Sequence, residues 1–114
     1  MNKEYILKDN YSFQNIISNN KPFKTKNFII YVEKNNNGYY KFGFSVGKKI
    51  GKAVVRNKIK RQLRSIVSKK DYQNGFNCII IVSSNVLNIT YAEMEKNLLD
   101  SLKQLNLLKE NNNE

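Results

Sequence analysis

The three arginines of this chain, Arg56, Arg61 and Arg64, lie within nine residues of one another, interleaved with Lys58 and Lys60. A planar guanidinium grips phosphate oxygens through two parallel hydrogen bonds, which a lysine ammonium cannot do. The other 17 basic residues are lysines, so the guanidinium is reserved for this one window. Residues 41–70 carry 11 of the 20 basic side chains and none of the nine acids. The remaining charges cancel, so the whole formal charge of +11 sits on that quarter of the chain. The chemistry this arrangement favours is anion binding, with a nucleic-acid backbone as the natural ligand.

Catalysis has far less to work with. The chain contains no histidine, the commonest general acid and base. A two-metal nuclease gathers several carboxylates around its ions, whereas Glu4, Asp9, Glu33, Asp71, Glu93, Glu95, Asp100, Glu110 and Glu114 are scattered. Glu93 and Glu95 cannot share a helix face at that spacing. The single cysteine, Cys78, excludes an intrachain disulfide and precedes the apolar run Ile79–Val82, where it reads as a small strand residue. No catalytic or metal-binding residue is assigned, and the chain reads as a binder with no self-contained active site.

The elements that must position the cations follow from periodicity. On a helix, Val55, Ile59, Leu63 and Ile66 form an apolar stripe, and Arg56, Asn57, Lys60, Arg61 and Arg64 fill the opposite and adjoining arc. No acid within this helix offers an i, i+4 partner, so the repulsion is uncompensated until an external anion relieves it. The run Gly47-Lys48-Lys49-Ile50-Gly51 before it is a flexible basic connection, without the glycine spacing of an ATP or GTP site.

Upstream, Asp9 or Asn10 caps a short helix ending near Asn19, with Tyr11 or Phe13, Ile16 and Ile17 on one face. Residues 27–33 alternate as a strand, and residues 39–46 return as an antiparallel one after Asn37-Gly38, a strong hairpin signal. Residues 78–83 form a nearly continuous apolar strand suited to a central position. Thr90 and Glu93 form a capping box that opens a helix to about Leu108, with Leu98, Leu102 and Leu105 as its stripe. The expected fold class is α+β, a small sheet with packed helices in the order α-β-β-α-β-α. Length predicts one domain over residues 1–114, with residues 1–8 and 109–114 as flexible ends. No run reaches the roughly 18–20 apolar residues of a membrane span, and the N-terminus lacks the apolar core of a signal peptide. The expected location is the cytoplasm.

The stretch KKIGKAVVRNKIKRQLR, with Phe44-Ser45-Val46 before it, resembles the signature of the bacterial ribonuclease P protein family, the small protein subunit of the tRNA-processing ribozyme. Element order and length extend the likeness over nearly the whole chain. The resemblance implies a sandwich with a left-handed βαβ crossover through the basic helix. It implies that Lys48, Lys49, Arg56, Asn57, Lys58, Lys60, Arg61 and Arg64 contact the catalytic RNA close to its active site. It also implies that Phe13, Ile17 and Tyr31 line a cleft for the single-stranded 5′ leader of precursor tRNA. The implied partners are ribonuclease P RNA and that leader, with no membrane and no small-molecule substrate. No cofactor is implied for the protein alone, and Mg²⁺ accompanies the RNA.

Three positions depart from the family pattern. Ile17 stands where a second aromatic is common, and Lys52 and Gly47 replace small polar residues, which leaves the start of the basic helix poorly capped. The main rival reading is a structural RNA binder of ribosomal type. A membrane-surface basic helix would need larger apolar anchors than this stripe provides, and a self-sufficient nuclease lacks its residues.

Overall fold

A computed structural model of the chain describes residues 3–109. The helices are α1 (Asn10–Asn19), α2 (Ala53–Val67) and α3 (Tyr91–Gln104), and the strands are β1 (Phe23–Lys24), β2 (Phe28–Lys34), β3 (Tyr40–Ser45) and β4 (Phe76–Val82). Short 3-10 turns occupy Lys3–Tyr5, Lys48–Ile50 and Ser84–Asn88. The α+β class and the element order hold, with β1 added as a two-residue edge strand too short to show in the sequence.

The four strands are ordered β1-β2-β4-β3. β4 runs antiparallel to β2, with Ile30 opposite Ile80, and parallel to β3, with Phe42 opposite Cys78. The expected β2–β3 hairpin is therefore not formed. The two strands do run in opposite directions, but β4 lies between them. The loop bonds show how: Asn35 N–H donates to Gly75 O at 2.8 Å, and Gly75 N–H donates to Tyr39 O at 3.0 Å. The chain entering β4 is thus wedged between the end of β2 and the start of β3. Gly75 has φ +89°, and a Cβ there would stand 3.3 Å from Asn35 O, so the wedge depends on glycine.

One sheet face carries the main core. Phe28, Ile30, Phe42, Phe44, Cys78 and Ile80 pack there against Ile59, Leu63, Ile66 and Val67 of α2 and Met94, Leu98 and Leu102 of α3. By strand alternation Tyr31, Ile79 and Gly43 point to the opposite face, which α1 covers with buried Ile16. Of the expected α2 stripe, Ile59, Leu63 and Ile66 are buried as read, and Val55 departs from it. Val55 is 37% exposed and rests against Gly51 instead of the sheet, and Val67 fills the core at the other end.

α3 also stops earlier than its apolar pattern suggests. It ends at Gln104, because Asn106 takes φ 60° and turns the chain, so that Leu107 N–H donates back to Leu102 O at 3.1 Å. Asparagine tolerates this left-handed conformation better than most residues. Leu107 is buried, and Leu108 pairs with Tyr72. At the other end, residues 3–8 are not wholly irregular: Ile6 bridges Phe42, and Leu7 N–H donates to Phe42 O at 2.8 Å, covering the free edge of β3. Of the expected flexible ends, residues 1–2 and 110–114 lie outside the described residues. No described helix is long and apolar enough to cross a membrane.

Candidate nucleic-acid interface

The basic helix keeps its cations outward because its apolar residues are claimed by the sheet. Asn57, Lys58 and Arg61 are exposed, Arg56, Lys60 and Arg64 are half-buried, and Lys48 and Lys49 are exposed on the turn that precedes the helix. Arg56, Lys60 and Arg64 follow one another at i, i+4, i+8, and Asn57 and Arg61 form the adjoining row. Among the described residues, the ion pairs are Lys69–Glu95 and Lys96–Asp100. None of the α2 cations is within ion-pair reach of a carboxylate of the described residues, so within these residues the site-facing charges remain unanswered.

Two arginines are held by more than the helix backbone. Arg56 Nε donates to Gly51 O at 3.1 Å, which ties the helix to the glycine turn before it. Arg64 Nε is buried without a hydrogen-bond partner. An orphaned donor of this kind costs stability unless a ligand or water completes it. Lys52 occupies the N-cap position without a side-chain cap bond, and the first turn of α2 has no acid. The uncapped N–H groups and the positive end of the helix dipole therefore add to the same field. Val54, 80% exposed at the edge of this patch, was not singled out from the sequence.

On the opposite face, Tyr31, Ile79 and Gly43 lie in register across β2, β4 and β3. Phe13 rests on the bare backbone of Gly43: a Cβ added there would meet the Phe13 ring at 2.5 and 2.8 Å. The glycine is the seat for the ring. Phe13, Ile17 and Tyr31 are each half-buried, and Ile17 follows Phe13 by one helical turn. The N-terminus of α1 is fixed by Asp9, which accepts from Tyr11 N–H at 3.1 Å. Beyond its other end, Asn20 Nδ2 donates to Ile16 O at 2.9 Å and to Glu33 of β2 at 3.4 Å. The three expected cleft residues thus share one partly open surface, separated from α2 by the sheet.

Among the described residues, no group of three histidine, cysteine, aspartate or glutamate side chains is placed to hold a metal ion. Cys78 is fully buried, and burial pushes its thiol far above the ordinary range, so it is no nucleophile. A broad depression of about 840 Å³ lies beside α3, but Lys69, Lys96, Asp71, Glu95 and Asp100 line it with both signs of charge.

An α+β domain with an all-cation helix on one side and a half-open aromatic surface on the other has the build of a small nucleic-acid-binding protein. The family model described as Ribonuclease P matches residues 1–106, and the chain belongs to this family. It is 43% identical over 108 residues to the ribonuclease P protein component of Mycoplasma mycoides, covering 92% of this chain and 99% of that one. Its counterpart from Streptococcus pneumoniae strain CGSP14 is 35% identical over 114 residues, covering 98% of this chain and 93% of the relative. Among solved structures, the RNase P protein of Staphylococcus aureus superposes with a TM-score of 0.81 at 30% identity, over 92% of this chain and 98% of that one. The RNase P protein from Thermotoga maritima gives 0.78 at 27% identity, over 86% and 94%.

Proposed function

We propose that this chain binds ribonuclease P RNA through α2 and the 5′ leader of precursor tRNA through the α1–sheet cleft, assisting removal of the leader in the cytoplasm. The observation that carries the reading is the set of cations on α2 that no carboxylate of the described residues answers. Phosphates of a folded RNA supply the missing counter-charge, and the counterions they release make binding strongly salt-dependent. Arg56, Lys60, Arg61 and Arg64 neutralise phosphates, Asn57 adds a directional hydrogen bond, and Lys48, Lys49 and Lys58 extend the patch.

Phe13 and Tyr31 offer ring faces to unpaired leader bases, and Ile17 offers a smaller apolar contact. The bond-breaking chemistry is assigned to the RNA with Mg²⁺. The protein's described acids do not cluster as a divalent ion requires, so its own part is to hold the leader and the active RNA conformation.

The test is cleavage of a leader-bearing precursor tRNA by bacterial ribonuclease P RNA at low Mg²⁺, with and without this protein. Cleavage that requires both components supports the subunit role. Binding to the RNA without stimulation would replace it with a structural RNA-binding role, and cleavage by the protein alone would overturn the assignment of chemistry to the RNA.

A further inference from the structure

At the start of β3, three aromatic rings form a column. Tyr5 stacks on Tyr40 with centroids 4.6 Å apart and 18° between planes. Tyr40 in turn stacks on Phe76 at 5.7 Å and 15°. Phe76 is buried in the core, Tyr40 packs against that core, and Tyr5 is the half-buried outer end of the column. Beyond Tyr5 opens a concavity of about 400 Å³ lined by Glu4, Tyr5, Tyr39 and Lys41. Tyr39 is 38% exposed, and Lys41 Nζ stands 5.4 Å from its ring centroid. Tyr39 lies outside the core cluster, and Tyr5 reaches it through one ring face, against Tyr40.

The concavity continues the aromatic cleft. Lys41 and Gly43 are alternate residues of β3 and point to the same side, and Gly43 is the seat of Phe13. Tyr39 stands about 13 Å back along the strand from Gly43 at the usual rise. It lies at the opposite end of β3 from the basic turn Lys48–Ile50, which leads into α2. A leader that passes the basic turn and then Phe13 would reach Tyr39 last.

The lining selects a chemical class. Two tyrosine rings suit a flat π-system, Lys41 suits the phosphate joined to it, and the Glu4 carboxylate accepts from an exocyclic amine or ring N–H. A bare anion would make no use of the rings, and an apolar peptide would meet Glu4 and Lys41.

We propose that Tyr5, Tyr39, Lys41 and Glu4 form an additional nucleobase-stacking subsite for an unpaired leader nucleotide farther from the cleavage point than those at Phe13 and Tyr31. This rests on the leader-binding reading above. The experiment measures precursor-tRNA affinity of the holoenzyme reconstituted with ribonuclease P RNA, using leaders shortened one nucleotide at a time. Affinity should rise with leader length until the subsite is filled. Tyr39→Ala should end that rise earlier and weaken long-leader binding by about 5- to 150-fold, the range of one lost base–aromatic stack. Tyr39→Phe should restore it, because the ring and not the hydroxyl stacks. Lys41→Ala should lower long-leader affinity with a reduced salt dependence.

If Tyr39→Ala and Lys41→Ala both follow the unmodified protein at every leader length, the subsite is overturned and leader binding at Phe13 and Tyr31 stands. If the unmodified holoenzyme shows no dependence on leader length, leader binding itself is overturned, and the subsite with it.

Discussion

Helices α2 and α3 lie side by side on one face of the same sheet and have almost the same length, 15 and 14 residues. Inward they are equivalent: Leu63 and Ile66 of α2 and Leu98 and Leu102 of α3 are all fully buried. Outward they are opposites. α3 has a complete capping box between Thr90 and Glu93, an acid in its first turn, a lysine in its last, and an i, i+4 pair of Lys96 with Asp100. α2 has no side-chain cap, no acid in its first turn and, along its outer face, cations that pair with no carboxylate of the described residues. Apart from a basic residue in the last turn, which Arg64 supplies, the local rules that stabilise α3 are broken in α2, while the packing beneath both is sound. Local rules broken on a well-packed element mark a functional surface.

The equivalence of the buried sides predicts the largest effect. Leu63→Ala and Leu98→Ala should each lower unfolding stability by about 2–5 kcal/mol, since both remove a fully packed side chain and leave a cavity. Urea unfolding of the two variants checks this. A much smaller loss for Leu63→Ala would break the comparison, because α2 would then be a loosely attached appendage and not a core helix.

The outer sides should separate when RNA is present. Arg61→Ala should weaken assembly with ribonuclease P RNA about ten-fold, as expected for one charge-assisted phosphate contact. It should also reduce the slope of log affinity against log salt by about one. Lys96→Ala on α3, whose charge is already spent on Asp100, should change neither. An unchanged slope for Arg61→Ala would mean that Arg61 makes no phosphate contact.

The same contrast explains what the sequence could disclose. The basic face of α2 was legible because charge and the 3.6-residue period coincide in one short window. The capping box of α3 was legible because its two residues are three apart. The sheet order was not. Asn37-Gly38 suggested adjacent strands, yet the apolar run of β4 already called for a central strand with a neighbour on each side. The long-range demand of β4 prevailed over the local turn, and Gly38, at φ +75°, turns a wider connection instead. The seat of Phe13 on Gly43 and the column of Tyr5, Tyr40 and Phe76 join residues far apart in the chain, so no spacing announced them. Val55 fitted the helical period, but the first turn of α2 rests on Gly51 and not on the sheet.

Exchanging the two helix starts sharpens the comparison at smaller cost. Thr90→Ala removes the side-chain acceptor of Glu93 N–H, a 3.1 Å bond, and should destabilise the protein by about 1 kcal/mol. Lys52→Asn should do the reverse: Lys52 has extended backbone angles that suit a capping side chain, so the gain is about 1 kcal/mol. RNA affinity should fall modestly in Lys52→Asn through the lost positive charge and stay constant in Thr90→Ala. Thermal melts with RNA titrations of both variants measure the exchange. A Lys52→Asn protein no more stable than its parent would mean that the start of α2 is already satisfied.

The smallest effect is a titration that α3 has and α2 lacks. The Glu93 carboxylate accepts from Thr90 N–H at 2.9 Å, and that bond holds its pKa below the ordinary value of 4.5. A carboxylate with a depressed folded-state pKa contributes its full stability above the ordinary value and loses it as pH falls through the lower, folded one. Glu93→Gln keeps an acceptor oxygen but cannot ionise. The stability difference between the parent and Glu93→Gln should therefore be present near neutral pH and shrink towards zero as pH falls below about 4. Denaturant unfolding at a series of pH values checks this. A difference that stays constant would mean that the carboxylate charge plays no part in the cap, and that α3 differs from α2 in hydrogen bonding alone.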